Sequence, residues 1–193
     1  KTLKRPYVHY VGNNPKEVHR HFQGLKEAVP DLKGIAVFDR LDRKPPEESG
    51  VDILMWQKRE MENYLCYPEV LEAYAAHLER EESVGPLFDR SLAEKRVEVM
   101  KISIEHIAGA MEALGKGNPW DDDTKVSDDF LTPLFKDYFK RLGLYNVMDK
   151  KSFYELARFI TRDRIDSEVR EKLEAIVRVA GLEIGDAAVL TDG

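Results

Sequence analysis

The run Gly34-Ile35-Ala36-Val37-Phe38 constrains the fold more than any other segment of this chain. It shows no polar alternation, the pattern of a strand buried on both faces, and such strands belong to parallel sheets covered by helices. The residues before it fit that setting. Tyr7-Val8-His9-Tyr10-Val11 is β-branched and aromatic and runs into Gly12-Asn13-Asn14-Pro15, a strand leading to a turn. Asn14 is placed to cap a helix, Pro15 suits the first helical position, and Glu17 completes a capping box. Val18, Phe22, Leu25 and Val29 then mark one helix face, and Pro30 and Gly34 end the helix. Strand, helix and buried strand make a βαβ unit, whose right-handed crossover leaves the two strands parallel. A polar loop with Pro45-Pro46 and Ser49-Gly50 follows, and Val51 to Trp56 reads as a third strand.

After Tyr67-Pro68 the apolar period changes to 3.6 and stays there. Leu71, Tyr74, Ala75 and Leu78 mark a helix from Pro68 to Glu82, and Met100, Ile104, Ile107, Met111 and Leu114 mark one from Pro86 to Leu114. GKGNPWDDD, 115–123, is a loop, and a helix from Thr132-Pro133 carries Leu134, Phe135, Tyr138, Phe139 and Leu142. Ser152 and Glu155 form a second capping box, opening a helix with Phe153, Leu156, Ala157 and Ile160. A last helix spans about Ser167 to Ala180, with Val169, Leu173, Ile176 and Val177 on its apolar face. The expected architecture is α/β: a partial parallel sheet with flanking helices over residues 1–67, then a mostly helical subdomain over 68–193.

Composition narrows the function classes. With 193 residues, 42% of them hydrophobic, the chain can bury a core without staples, and it is neither collagenous nor low-complexity. Cys66 is the only cysteine, which favours a reducing, cytoplasmic setting, and no apolar run approaches a membrane span. The chain opens on Lys1 rather than methionine and is read as a segment of something longer. A net charge of −6 argues against a non-specific nucleic-acid coat, but a metal-dependent phosphodiesterase must itself carry acids.

Two segments have the residue types for such chemistry. Ligands of open α/β sheets bind beyond the carboxyl ends of the strands, and Asp39 and Asp42 leave such an end directly. Their hard oxygens suit Mg²⁺ or Mn²⁺, and Arg40, Arg43 and Lys44 beside them suit phosphate. Asp39 opening a turn and Asp42 pairing with a surface arginine is the plainer alternative. The second segment is Lys58-Arg59-Glu60-Met61-Glu62, past the third strand. In extended chain Glu60 and Glu62 share a direction, and a parallel strand end brings them near the Asp39 loop; a helix start with acids at its positive end is the alternative. Lys58 and Arg59 add cations for phosphate. His19 and His21 diverge on their helix, Asp121-Asp122-Asp123 lacks the spacing of a calcium loop, Cys66 reads as a buried thiol, and Trp56 and Tyr64 read as core.

The stretch GIAVFDRLDR, a spacer, and DILMWQKREMENYL resembles the Toprim domain of OLD-type (overcoming lysogenization defect) ATP-dependent endonucleases, over roughly residues 7–75. A weaker resemblance continues through the segment from Val126 to Ile160. The resemblance implies that Asp39 matches the first aspartate of an Asp-x-Asp pair and Glu62 the acid of the later motif, with Glu60 two residues before it. Leu41 stands where the second aspartate belongs, with Asp42 one residue late, and nothing here matches the family's leading glutamate. Lys151 matches the lysine placed beside the scissile phosphate, with Lys150 competing for that match. The implied cofactors are two Mg²⁺ or Mn²⁺ ions. The implied partners are DNA and an N-terminal ABC-type ATPase, through which the protein would bind ATP and form a homo-oligomer; no G-x-x-x-x-G-K-[ST] occurs in this chain. Two functions follow: a metal-dependent DNA endonuclease, or a Toprim-like module that has lost full chemistry and docks on its ATPase. Leu41 favours the second.

Overall fold

A computed structural model describes residues 7–47, 50–77 and 86–181. In chain order the elements are α1 (Pro15–Ala28), β1 (Gly34–Phe38), β2 (Val51–Met55), α2 (Pro68–Ala76), α3 (Pro86–Ala113), α4 (Thr132–Leu142) and α5 (Ser167–Val179). Shorter 3-10 turns cover Met61–Tyr64, Phe153–Phe159 and Arg162–Arg164, and a π turn over Ser127–Leu131 leads directly into α4. The fold is mixed α/β, and it divides into two compact units. One runs through Gln57 and resumes at Asp166; the other spans Lys58–Ile165. This division differs from a boundary at 67/68. The change of apolar period marks where helices begin, whereas the ten residues before it already belong with the helical unit.

In the first unit β1 and β2 pair in parallel, Gly34 opposite Val51 and Phe38 opposite Met55. The connection from Asp39 to Gly50 has the dozen residues that a parallel return needs, and its described residues contain no helix. α1 starts as its sequence requires: the Lys16 amide donates to Asn14 Oδ1 at 3.1 Å and Pro15 takes the first turn. Glu17 pairs with Arg20. Val18 and Phe22 on α1 are buried with Phe38 and Val51. The Phe22 ring lies across the start of both strands. A Cβ on Gly50 would stand 3.1 Å from Phe22 Cζ, and Gly50 has φ +89°, so both space and backbone require glycine there.

Two strand expectations are corrected. Tyr7–Val11 is not a strand: Tyr10 is 91% exposed, and among the described residues no ladder partner meets this segment. Its residues satisfy local interactions instead. Val11 C=O accepts the Asn14 amide, and the His9 and His21 rings stack at 3.8 Å. The expected βαβ unit is therefore not formed, and the parallel pair is the second and third expected strands. Nor is β1 buried on both faces; Val37 is 37% exposed, because a two-stranded sheet covers little of itself.

The second unit is built on α2, α3 and α4. Leu71, Met100, Phe130, Leu134, Phe135, Tyr138 and Leu156 are fully buried in one core. Tyr74 meets Phe135 edge-on, with centroids 5.3 Å apart. Burial pushes the Tyr138 hydroxyl up to about 12. α4 stops at Gly143, whose φ of +68° lets the Leu144 amide turn back to Phe139 C=O at 2.9 Å. α2 ends at Ala76, and the remainder of the expected helix, beyond 77, lies outside the described residues. The helix expected after Ser152 is a 3-10 turn, and Ser152 does not cap it. Asp149 takes that hydroxyl: its Oδ1 accepts Ser152 Oγ at 3.2 Å and the Lys151 amide at 3.0 Å. A local aspartate turn has outcompeted the capping box.

Phe135→Ala should cost about 3–5 kcal/mol of stability, as an emptied aromatic core site does, while Tyr10→Ala should fall within ~0.5 kcal/mol. Urea unfolding followed by circular dichroism reads both. Asp137 supplies a pH test. Burial alone would raise its pKa, but Arg141, with Nε 2.5 Å from Oδ2, and His106 outweigh burial and hold it below the usual range. A depressed carboxylate contributes stability above its unfolded pKa of about 3.9, and that contribution is lost as pH falls through the folded value. Asp137→Asn should thus be less stable at neutral pH, and its gap to wild type should close as pH falls below the ordinary carboxylate range.

Candidate functional site

The first unit carries the acids at the strand ends. Asp39 follows β1 directly and is half-buried; its amide donates to Asn13 Oδ1 at 3.0 Å. Asn13 has φ +57°, a left-handed turn that asparagine tolerates, and this turn ties the start of α1 to the end of β1. Arg40 Nη1 donates to Gln57 C=O at 3.2 Å. Leu41 turns inward onto the core of Phe38 and Phe22, and its amide lies 3.2 Å from Met55 Sδ. The position of the Asp-x-Asp pattern that should hold its second acid is therefore a packing position here. Asp42, Arg43 and Lys44 are exposed on the loop that follows.

A buried ion pair stands at the end of β2 that sequence reading missed. Glu168 Oε1 accepts the Gln57 amide at 3.0 Å and Lys172 Nζ at 2.9 Å, with the two side chains 8% and 13% exposed. The Lys172 ammonium lies 5.3 Å from the Trp56 ring centroid. The available signal was an i,i+4 Glu–Lys pair on a helix whose apolar stripe is thin.

In the second unit, Lys58–Tyr67 is fastened to the loop before α4. The Arg59 amide donates to Asp122 C=O at 2.7 Å, and Lys58 Nζ lies 3.2 Å from Asp122 Oδ1. Lys58 is also 4.9 Å from the Tyr64 ring centroid and only 18% exposed. Burial alone would lower its pKa, but Tyr67 and Asp122 raise it above the ordinary lysine value, so it stays charged. Its charge is taken up inside the protein.

Glu60 and Glu62 have different surroundings. Glu60 is extended, but a 3-10 turn begins at Met61, so the alternation expected of extended chain does not hold; the segment is a helix start. Glu60 is buried, and its Oε2 accepts the Ser127 amide at 3.0 Å. Asn63, also buried, accepts the Glu60 amide at 2.9 Å and donates to Asp121 and Thr124 C=O at 3.2 and 3.1 Å. Glu62 is half-buried, and its C=O accepts the Leu65 and Cys66 amides. Burial pushes the Cys66 thiol well above its ordinary value, which keeps it inert.

Past the π turn, Asp128 takes two lysines. Lys125 Nζ is 2.6 Å from Oδ2, and Lys150 bonds Oδ1. Together they hold the Asp128 carboxyl below the usual range. Lys125 is raised first by Asp128, then further by the charge of Glu60, while Arg59 opposes it. Lys150 and the Arg59-Glu60 segment thus share neighbours. Lys151 is exposed, and among the described residues its ammonium has no acceptor.

Asp39, Asp42, Arg40, Arg43 and Lys44 belong to the first unit; Lys58, Arg59, Glu60, Glu62 and Lys151 belong to the second. Asp39, Asp42 and Glu62 present the hard oxygen donors that suit Mg²⁺ or Mn²⁺, which keep several waters and take few carboxylates. Glu60 fits a metal less well, since Oε2 already accepts a backbone amide. Among the described residues no group of three or more His, Cys, Asp or Glu side chains is arranged around a common metal position, and no helix is long and apolar enough to cross a membrane. No family model, curated protein or solved structure matches the chain.

Glu60→Ala, which leaves the Ser127 amide without its acceptor, should cost about 1–3 kcal/mol. Glu60→Gln keeps an acceptor oxygen and should cost less than half of that. Equal losses in chemical unfolding would show that the carboxylate oxygen is not what the Ser127 amide depends on.

Proposed function

We propose that the chain is the Toprim-like nuclease portion of an OLD-type ATPase-nuclease and takes part in metal-dependent cleavage of DNA phosphodiesters. One observation carries the reading: Asp39 stands directly beyond the carboxyl end of a strand in a parallel pair, half-buried, with its backbone pinned by Asn13. That is where open α/β folds put their ligands. The resemblance of GIAVFDRLDR and REMENYL to the Toprim motifs supports the same assignment.

Bound Mg²⁺ or Mn²⁺ supplies Lewis acidity and an activated water for in-line displacement at phosphorus. Asp39 and Asp42 offer carboxylate oxygens just beyond β1, and Glu62 is the further acid that the resemblance assigns to metal. Lys151, or Lys150 beside it, offsets the charge that grows on the phosphate. Arg40, Arg43, Lys44 and Arg59 hold the backbone by charge-assisted hydrogen bonds. Lys58 contributes indirectly, by fixing the Asp122 loop. DNA is the substrate in this reading, and an ABC-type ATPase is the partner that assembles the protein.

The second reading is a Toprim-like docking module without full chemistry. Leu41 favours it, because its place in the core leaves the second acid position unfilled.

Nicking of supercoiled plasmid separates the two. The nuclease reading expects cleavage with Mn²⁺ or Mg²⁺ that EDTA stops, and a loss of about 10²-fold or more in Asp39→Asn and in Glu62→Gln. Wild-type cleavage that resists EDTA removes the metal mechanism. No cleavage by the chain joined to its ATPase, under either ion, moves the assignment to the docking module.

A further inference from the structure

Asp128 brings two lysines from distant parts of the helical unit onto a single carboxylate, Lys125 on Oδ2 and Lys150 on Oδ1. The two ammonium groups therefore stand one carboxylate apart, and a single negative charge is shared between them. Each keeps donors beyond the one given to Asp128, since an ammonium has three. Both side chains are about half exposed, 51% and 50%, so those donors face water. Arg59 is exposed, close enough to oppose Lys125 by charge, and among the described residues its guanidinium has no carboxylate partner. Glu60, whose charge also raises Lys125, is buried and accepts the Ser127 amide.

Cations that share one carboxylate differ from lone surface lysines. Their side chains are already ordered by Asp128, so less conformational freedom is lost when an anion arrives. Oxygen anions with several acceptor atoms, such as phosphodiesters, match the remaining donors. We infer that Lys125 and Lys150, with Arg59 beside them, form a contact for the phosphate backbone of duplex DNA on the helical unit. The contact rests on the proposed function for its choice of polyanion and for the phosphate roles of Arg59 and Lys150, and it adds Lys125, which that reading does not use. Lys58, although next in sequence to Arg59, takes no part, because Asp122 and Tyr64 enclose it.

The test is binding of the 193-residue chain to a short DNA duplex in EDTA, with the affinity followed against potassium chloride concentration. Each phosphate contact adds about 0.9 to the slope of log affinity against log salt. Lys125→Gln with Lys150→Gln should lower the steepness by about 2 and weaken binding at least ~10-fold at low salt. Lys136→Gln with Lys140→Gln removes the same charge from an exposed part of α4 and should change the slope by less than half as much. Circular dichroism confirms that both double variants fold. An unchanged slope in the first pair, an equal change in the control pair, or no duplex binding by wild type overturns the inference. Because EDTA stops metal-dependent cleavage, loss of the nuclease reading in the plasmid assay leaves this result separately legible.

Discussion

The carboxylate of Glu60 beneath the Ser127 amide organises one edge of the helical unit. A buried carboxylate is costly unless it is well hydrogen-bonded, and this one accepts the first amide of the π turn, which no helical carbonyl can reach. Asn63 completes the arrangement by accepting the Glu60 amide and donating to two carbonyls of the 121–124 loop. Two polar side chains thereby fix the Glu62 turn, the aspartate loop and the π turn before α4 with respect to one another. Lys125 and Asp128 stand on either side of the segment this framework holds, and Lys150 joins them through Asp128.

Many charged residues past the strand ends thus hold the backbone in place. Lys58 is locked to Asp122, and Glu168 with Lys172 fastens α5 to the end of β2. Other charged residues are presented to solvent, among them Asp42, Arg43 and Lys44 in the first unit, and Arg59, Lys125, Lys150 and Lys151 in the second. Asp39 and Glu62 lie between these extremes, half-buried.

Much of the fold was legible because local rules were obeyed. Asn14 and Pro15 opened α1, Gly143 ended α4, and the last helix began and ended close to its expected limits, under an Asp166 cap. Tyr7–Val11 misled because β propensity reports fit to a pleated surface and not the existence of a partner strand. Ser152 misled because Asp149 competes for the same hydroxyl, which a pattern of cap and Glu155 does not register. For the site, Asp39 could be placed from its strand, but the fates of Glu60 and Leu41 could not. Glu60 is directed by a backbone amide 67 residues away, and the Leu41 backbone is held by a thioether in the next strand. The Glu168–Lys172 pair was hidden for the same reason, since its third member is the amide of Gln57.

Residue-resolved amide hydrogen exchange of the wild-type chain tests the Glu60 framework most directly. The Ser127 and Glu60 amides both lack a helical acceptor, and their protection depends on two side-chain oxygens. The account predicts that both exchange as slowly as amides inside α4, with free energies of opening close to that of the whole unit. Exchange at the rate of exposed loop amides, while α4 stays protected, would contradict it.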